Sequence, residues 1–174
     1  MTDLRYPIGK FEAPKTMTAD LRDELISRIA EAPSQLRTAV TGLSSQQLNT
    51  PYRDGGWTVI QVVHHLPDSH MNAYIRCKLA VTENAPTIKP YDETRWAELQ
   101  DASGLDIEVS LVLLEALHRR WVVFLQSLTE EQCQCIFHHP ETGVMSLDHT
   151  LALYAWHGRH HVAHITALRK RMGW

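Results

Sequence analysis

Residues 146–173, which read SLDHTLALYAWHGRHHVAHITALRKRMG, decide the fold of this chain. Their apolar residues recur three or four positions apart, as in an amphipathic helix. Ser146 can cap the start of the helix, and Gly173 follows a basic last turn, as helix ends favour. At 100° per residue, one face of this helix is predicted to point into the core. That face carries Leu147, Thr150, Leu153, Tyr154, His157, His161, His164, Ile165, Leu168 and Met172.

The same periodicity predicts three more long helices, over residues 18–40, 58–81 and 106–127. A capping box of Thr58 and Gln61 marks the start of the second helix. Residues 84–104 are rich in proline, aspartate, threonine and glycine, which predicts a long crossover between the second and third helices. Alternating β-branched runs are absent, so no strand is predicted. The sequence therefore predicts an all-α four-helix bundle, with residues 1–174 forming a single domain.

The composition and the net charge of the chain exclude several classes of function. The chain has 174 residues, 44% hydrophobic and 21% charged, which fits an ordinary folded domain. Its net charge of -3 does not indicate the positively charged surface that binds the phosphates of nucleic acids. No apolar run approaches the ~20 residues of a membrane span, and the first residues lack the apolar stretch of a secretory signal. We therefore expect a cytoplasmic protein with reduced cysteines that binds neither nucleic acid nor membrane.

Histidine is the residue type that points to chemistry, with 11 copies in the chain. On the predicted core face of the last helix, His157 and His161 are four positions apart, so both imidazoles can converge on one metal ion. His164 lies one turn further along this face, and His160 lies at its rim. The competing interpretation, that these are ordinary buried histidines, is about equally compatible with the pattern.

A metal site in a bundle core takes ligands from several helices, so a third ligand is expected elsewhere. The second helix offers His64 and His65, which point about 100° apart and cannot easily share one ion. His65 is preferred because it lies on a polar line that fits the wall of a wet pocket. The other members of this line are Thr58, Gln61, Ser69, Asn72 and Arg76. Asp54 and Asp68 are candidate general acids or bases near this ligand, and neither is assigned. The remaining histidines have no partner at ligand spacing: His70, His118, His138, His139 and His149.

Several segments together resemble the YfiT-type metal-dependent hydrolases of the DinB-like superfamily, a group that includes bacillithiol S-transferase-like proteins. These segments are TPYRDGGWT at 50–58, QVVHHL at 61–66, DSHMN at 68–72, KPYDE at 89–93, WHGRHHVAHI at 156–165 and RMGW at 171–174. The resemblance covers nearly the whole chain. It implies a four-helix bundle, usually dimeric, with one divalent ion, zinc or nickel, held by His65, His157 and His161. In the wider superfamily the position of His164 is often glutamine.

The expected activity follows from three neutral imidazoles that leave a coordination position open. Such an ion activates water, which predicts a metal-dependent hydrolase of a small molecule with unassigned catalytic residues. Thiol S-transfer with a low-molecular-weight thiol remains an alternative, as does metal or ligand binding without turnover. Since histidine binds metal only when neutral, metal affinity is expected to fall below roughly pH 6. A homodimer is expected from the resemblance, and the chain carries more tryptophan than one small core needs, at Trp96, Trp121, Trp156 and Trp174.

Overall fold

The computed structural model describes residues 3–174. Its elements in chain order are α1 (Ala19–Val40), α2 (Ser45–Leu48), α3 (Val59–Thr82), α4 (Glu93–Trp96), α5 (Gln100–Ser103), α6 (Ile107–Gln126), α7 (Glu130–Cys133), β1 (Ile136–His139), β2 (Gly143–Ser146) and α8 (Leu147–Met172). The four long helices α1, α3, α6 and α8 form a four-helix bundle, which confirms the predicted fold class. No helix in the described part of the chain combines the length and the hydropathy that a membrane span requires.

The ends of the long helices follow local capping chemistry. The Thr58 hydroxyl accepts a hydrogen bond from the backbone N–H of Gln61, and the Gln61 side chain accepts one from the Thr58 backbone, so the predicted capping box is present. Ser146 caps α8 through its side chain. Gly173 ends α8 with a φ of +74°, a left-handed conformation that glycine adopts without strain. These caps explain why helix boundaries were predictable from local sequence.

The four long helices do not pack in chain order. Both α1 and α3 pack on α6 and on α8, so α1 and α3 lie on opposite sides of the bundle. Two apolar clusters fill its interior. One includes Ile29, Trp121 and Leu151, and the other includes Leu36, Leu114 and Ile165. On each helix the residues between these two clusters are more polar, and the buried histidines are concentrated there.

A short hairpin before α8 corrects the expectation that the chain has no strands. Antiparallel β1 and β2 pair Phe137 with Met145 and His138 with Val144. The β1 strand also pairs with the crossover, since the His138 backbone N–H donates to Pro86 O at 2.8 Å and its carbonyl accepts from Ile88 N at 3.0 Å. Each strand has only four residues, too few for an alternating pattern to be visible.

A buried ion pair joins α1 to the start of α8. The Arg22 guanidinium donates to both carboxylate oxygens of Asp148, at 2.9 and 3.1 Å, and Gln134 donates to the same carboxylate at 2.8 Å. The two charged side chains are only 12% and 9% exposed. The carboxylate is thus fully hydrogen-bonded, which is the condition under which a buried charge is tolerated.

Candidate metal centre

Three histidines from two helices meet in the polar layer of the bundle. His65 comes from α3, and His157 and His161 come from successive turns of α8. The Nε2 atom of His157 lies 3.4 Å from Nε2 of His65 and 3.2 Å from Nε2 of His161. The ligand atoms of all three rings lie within 4.8 Å of one another. The structure therefore brings together the three residues that the sequence predicted as ligands.

The spacing of these nitrogen atoms fits a divalent ion. With zinc–nitrogen bonds of 2.0–2.1 Å and tetrahedral angles, two imidazole nitrogens on one ion are about 3.3 Å apart. The two Nε2–Nε2 distances, 3.4 and 3.2 Å, lie close to this value. Within residues 3–174 the group has three members and no carboxylate. Such a donor set leaves one position open to water or substrate, as in catalytic zinc sites.

The electrostatics of the cluster also favour metal binding. Burial lowers the pKa of His65 to about 4. Burial, together with the neighbouring histidines, lowers the pKa values of His157 and His161 well below the usual value. All three imidazoles are therefore neutral near pH 7, which is the form that binds a metal ion.

A cavity of about 670 Å³ opens beside the cluster, within the size range of small-molecule sites. Its floor is formed by the three histidines, and its mouth by the β1–β2 hairpin and the crossover. The lining includes Trp57, Ser69, Arg76, Tyr91, Glu93, Phe137, His139, Glu141, Met145, Thr150 and Tyr154. Ser69 and Arg76, two members of the polar line predicted on α3, form part of this wall. The hydroxyl groups of Tyr91 and Tyr154 also belong to it. Glu93 and Glu141 are exposed at the rim.

The two tyrosines in this wall can act as hydrogen-bond donors. Burial raises the pKa values of Tyr91 and Tyr154, so both phenols stay protonated at neutral pH. The Ser69 hydroxyl donates to the Tyr154 hydroxyl at 3.5 Å. Sequence reasoning missed both tyrosines as site residues, because nothing in their local pattern separates a cavity wall from a core position.

The candidate acids predicted near His65 do not face the cavity. Asp54 is exposed, and neither Asp54 nor Asp68 lines the cavities next to the histidines. Burial and the nearby Asp101 raise the pKa of Asp68 to about 6. Gln61, another member of the polar line on α3, has a structural function, because its side chain donates a hydrogen bond to Ala97 O at 2.8 Å.

His160 and His164 lie next to the cluster without joining it. The Nε2 atom of His164 donates to Arg5 O at 3.1 Å, and its ring stacks on Tyr52 at 4.0 Å. His160 stacks on Trp156 at 4.3 Å. Both rings border a second cavity of about 420 Å³ on the other side of His161. In this arrangement His164 is held away from the position of a fourth ligand.

Two histidines that the sequence left without a role are connected to the cluster. The Nδ1 atom of His157 lies 3.1 Å from Nε2 of His70, and Nδ1 of His70 lies 2.8 Å from Nε2 of His118. The Nδ1 atom of His118 in turn lies 2.6 Å from Ile29 O. His70 and His118 are completely buried between the two apolar clusters. These hydrogen bonds join residues of four different helices, so no local sequence signal could have revealed them.

Comparisons with known proteins agree with this architecture. Relatives from Bacillus cereus and Bacillus thuringiensis are each 58% identical over 174 residues, 100% of both chains, and are named probable metal-dependent hydrolases. The solved structure of YfiT from Bacillus subtilis, described as a probable metal-dependent hydrolase with an unusual four-helix bundle topology, superposes with a TM-score of 0.97 at 49% identity and 99% coverage of both chains. TT2238, a four-helix bundle protein, is 21% identical with a TM-score of 0.60, over 84% of this chain and 98% of its own, and shares the fold. The family model of the DinB superfamily matches residues 28–165, and the chain belongs to that superfamily.

Proposed function

We propose that this protein is a metal-dependent hydrolase of a small molecule, in which His65, His157 and His161 hold one divalent ion, zinc or nickel. The observation that carries the proposal is the convergence of three neutral imidazole nitrogens, without a carboxylate, on the floor of a cavity of about 670 Å³. The names of the relatives at 58% identity support the same activity class.

The cavity walls supply the groups that would bind and orient a substrate. When bound, the ion would lower the pKa of a water or thiol in its open position and supply a nucleophile at neutral pH. The protonated hydroxyls of Tyr91 and Tyr154 can donate hydrogen bonds to substrate oxygens. The Arg76 guanidinium adds a positive charge to the same wall. This set suits a polar substrate that carries a carbonyl or a similar acceptor group.

Thiol S-transfer is the second candidate, and the position of the acids favours it. Attack by water commonly uses a general base, but Asp54 and Asp68 do not line the cavity, and the carboxylates that do, Glu93 and Glu141, lie exposed at its rim. A low-molecular-weight thiol bound in the open position would already be deprotonated and would need no such base. The same residues would then bind the thiol and an electrophilic small molecule together.

The test combines metal analysis with two activity screens on protein that has never been exposed to a nickel column. We expect one divalent ion per chain, and hydrolysis of an ester or amide in a screen of such substrates. Turnover only in a thiol-transfer screen would favour the second candidate. Stoichiometric metal without turnover in either screen would favour a protein that only binds its ligand.

The ligand assignment is tested by His161→Ala, which should abolish stoichiometric metal binding. His164→Ala is the matched control, because His164 lies one turn further on the same helix and bonds to Arg5 O instead. This control should keep its metal. Undiminished metal in His161→Ala would contradict the assignment.

We also propose a homodimer in the cytoplasm, as the sequence suggested. One part of that reasoning is corrected: Trp121 is completely buried inside the monomer and is not available to a partner. Trp96, by contrast, is 39% exposed. The cysteines Cys77, Cys133 and Cys135 are free thiols, as expected of a protein in a reducing compartment.

A further inference from the structure

A row of hydrogen-bonded histidines crosses the bundle behind the metal cluster. It begins at His157 on α8, passes through His70 on α3 and His118 on α6, and ends on the carbonyl oxygen of Ile29 on α1. All four long helices therefore contribute one member each. The row occupies the layer between the two apolar clusters, where His70 and His118 are 0% and 1% exposed. Water therefore has no access to the hydrogen bond between His70 and His118.

The end of this row fixes the position of every proton in it. Ile29 O can only accept a hydrogen bond, so Nδ1 of His118 must carry the proton. Burial lowers the pKa of His118 to about 4, so the ring is neutral at pH 7 and its Nε2 atom is an acceptor. Nδ1 of His70 must then be the donor to that atom.

The same reasoning continues to the metal cluster. The His70 ring is 0% exposed and bonds only to His118 and His157, so with its proton on Nδ1 the lone pair of its Nε2 atom accepts from His157. Nδ1 of His157 is therefore the donor, and Nε2 of His157 carries the lone pair. That Nε2 atom is the one that lies 3.4 and 3.2 Å from the other two ligand nitrogens.

We infer that His70 and His118 are positioning residues, which hold His157 in the single tautomer and ring orientation that present its Nε2 lone pair to a divalent cation. The inference rests on the proposed metal site and goes beyond it, because it assigns a function to two residues that do not touch the ion. Hydrogen-bond partners behind a ligating histidine fix the ring in this way in other metal sites.

Packing holds the middle of the row in place. The His70 ring lies parallel to the His118 ring, with an interplanar angle of 18°. The edges of Trp121 and Tyr154 meet it at 90° and 88°. The ring therefore cannot rotate without moving two large aromatic side chains.

His157 is held differently from its neighbour in the cluster. Nδ1 of His161 is buried and has no hydrogen-bond partner in the described part of the chain, so no group behind this ring orients it towards an ion. His157 is thus the ligand whose geometry is set before the ion arrives. A carbonyl oxygen at the far end cannot take up a proton, so the row holds protons in place and does not conduct them away.

The test uses the full chain stripped of metal, with ¹⁵N-labelled histidine. Nitrogen chemical shifts at neutral pH should show the proton of His157 on Nδ1 and the lone pair on Nε2. A wild-type protein with the proton mainly on Nε2 would overturn the inference, whatever the variants do. This measurement needs neither metal nor turnover, so it is independent of the proposed activity.

The variants remove the row at its far end, away from the ligand. His118→Leu leaves Nδ1 of His70 without an acceptor, and we expect a mixture of tautomers at His157 and a 10- to 100-fold loss of zinc affinity in a chelator competition. His118→Gln can still accept from His70 and donate to Ile29 O, so it should restore one tautomer and most of the affinity. Wild-type affinity and tautomer in His118→Leu would overturn the inference.

His64→Leu is the matched control for loss of a buried histidine. His64 lies on α3 beside His65, but its ring bonds to Ser110 Oγ at 2.7 Å and Leu105 O at 3.2 Å, outside the row. It should lose stability and keep the His157 tautomer and the zinc affinity. If His64→Leu lost affinity as strongly as His118→Leu, the effect would be general loosening of the bundle, and the assigned positioning function would be wrong.

Discussion

Acidification should destabilise the metal-free protein well before its carboxylates are protonated. The pKa values of His65 and His118 are lowered from 6.5 to about 4 by burial. The unfolded chain therefore binds more protons than the folded chain as the pH falls below 6.5. Stability is thus complete above about pH 7 and is lost as the pH falls from 6.5 towards 4.

The size of the effect follows from these two shifts. At pH 5.5 each of the two histidines removes about 1.4 kcal/mol from the free energy of unfolding. The total loss is therefore at least about 3 kcal/mol, because the lowered pKa values of His70, His157 and His161 act in the same direction. For a chain of this length that corresponds to a melting temperature lower by roughly 6–12 °C. Urea denaturation followed by circular dichroism at pH 7.5 and 5.5, with a chelator present, measures the difference.

His118→Gln is the control for this measurement, because it keeps a polar group in place but removes one titratable ring. The difference in unfolding free energy between the two pH values should shrink by about 1.4 kcal/mol in this variant. An equal free energy of unfolding at pH 7.5 and 5.5 in the wild-type chain would refute the reasoning, since it would mean that these rings are already charged or solvated in the folded state.

Three further outcomes are expected. Added zinc should raise the melting temperature. Because burial lowers the pKa of His65 to about 4, this gain should persist to about pH 5 and shrink below it, whereas an ordinary histidine would lose the ion at a higher pH. An equal gain at pH 7.5 and 4 would exclude histidine ligation. Asp148→Ala should cost about 1.5–3 kcal/mol in urea denaturation, because the Arg22 guanidinium, 12% exposed, then keeps only its ion pair with the exposed Glu130; a cost below about 1 kcal/mol would contradict this. Sedimentation at micromolar concentration should show a species of about twice 19.9 kDa, and a 19.9 kDa species would exclude the dimer.

The features that the sequence predicted correctly are those determined by residues close together in the chain. The helix boundaries follow from caps such as Thr58 and Ser146, and the pairing of His157 with His161 follows from one turn of helix. The hydrogen bonds behind the cluster join residues 48, 87 and 89 positions apart, so they depend on the order in which the helices pack. That order is set by tertiary contacts, which the periodicity of a single helix does not encode.

The pairing of β1 with the crossover links the two sides of the cavity mouth. Backbone hydrogen bonds from His138 to Pro86 and Ile88 tie a surface hairpin to a segment between α3 and α6. The histidines on the floor, in contrast, belong to the long helices. The mouth of the cavity is thus formed in part by segments that carry none of the three candidate ligands, and the hairpin turn at 140–142 contributes Glu141 and Thr142 to its lining. Exchange of that turn between relatives would therefore change the mouth of the cavity and leave His65, His157 and His161 in place.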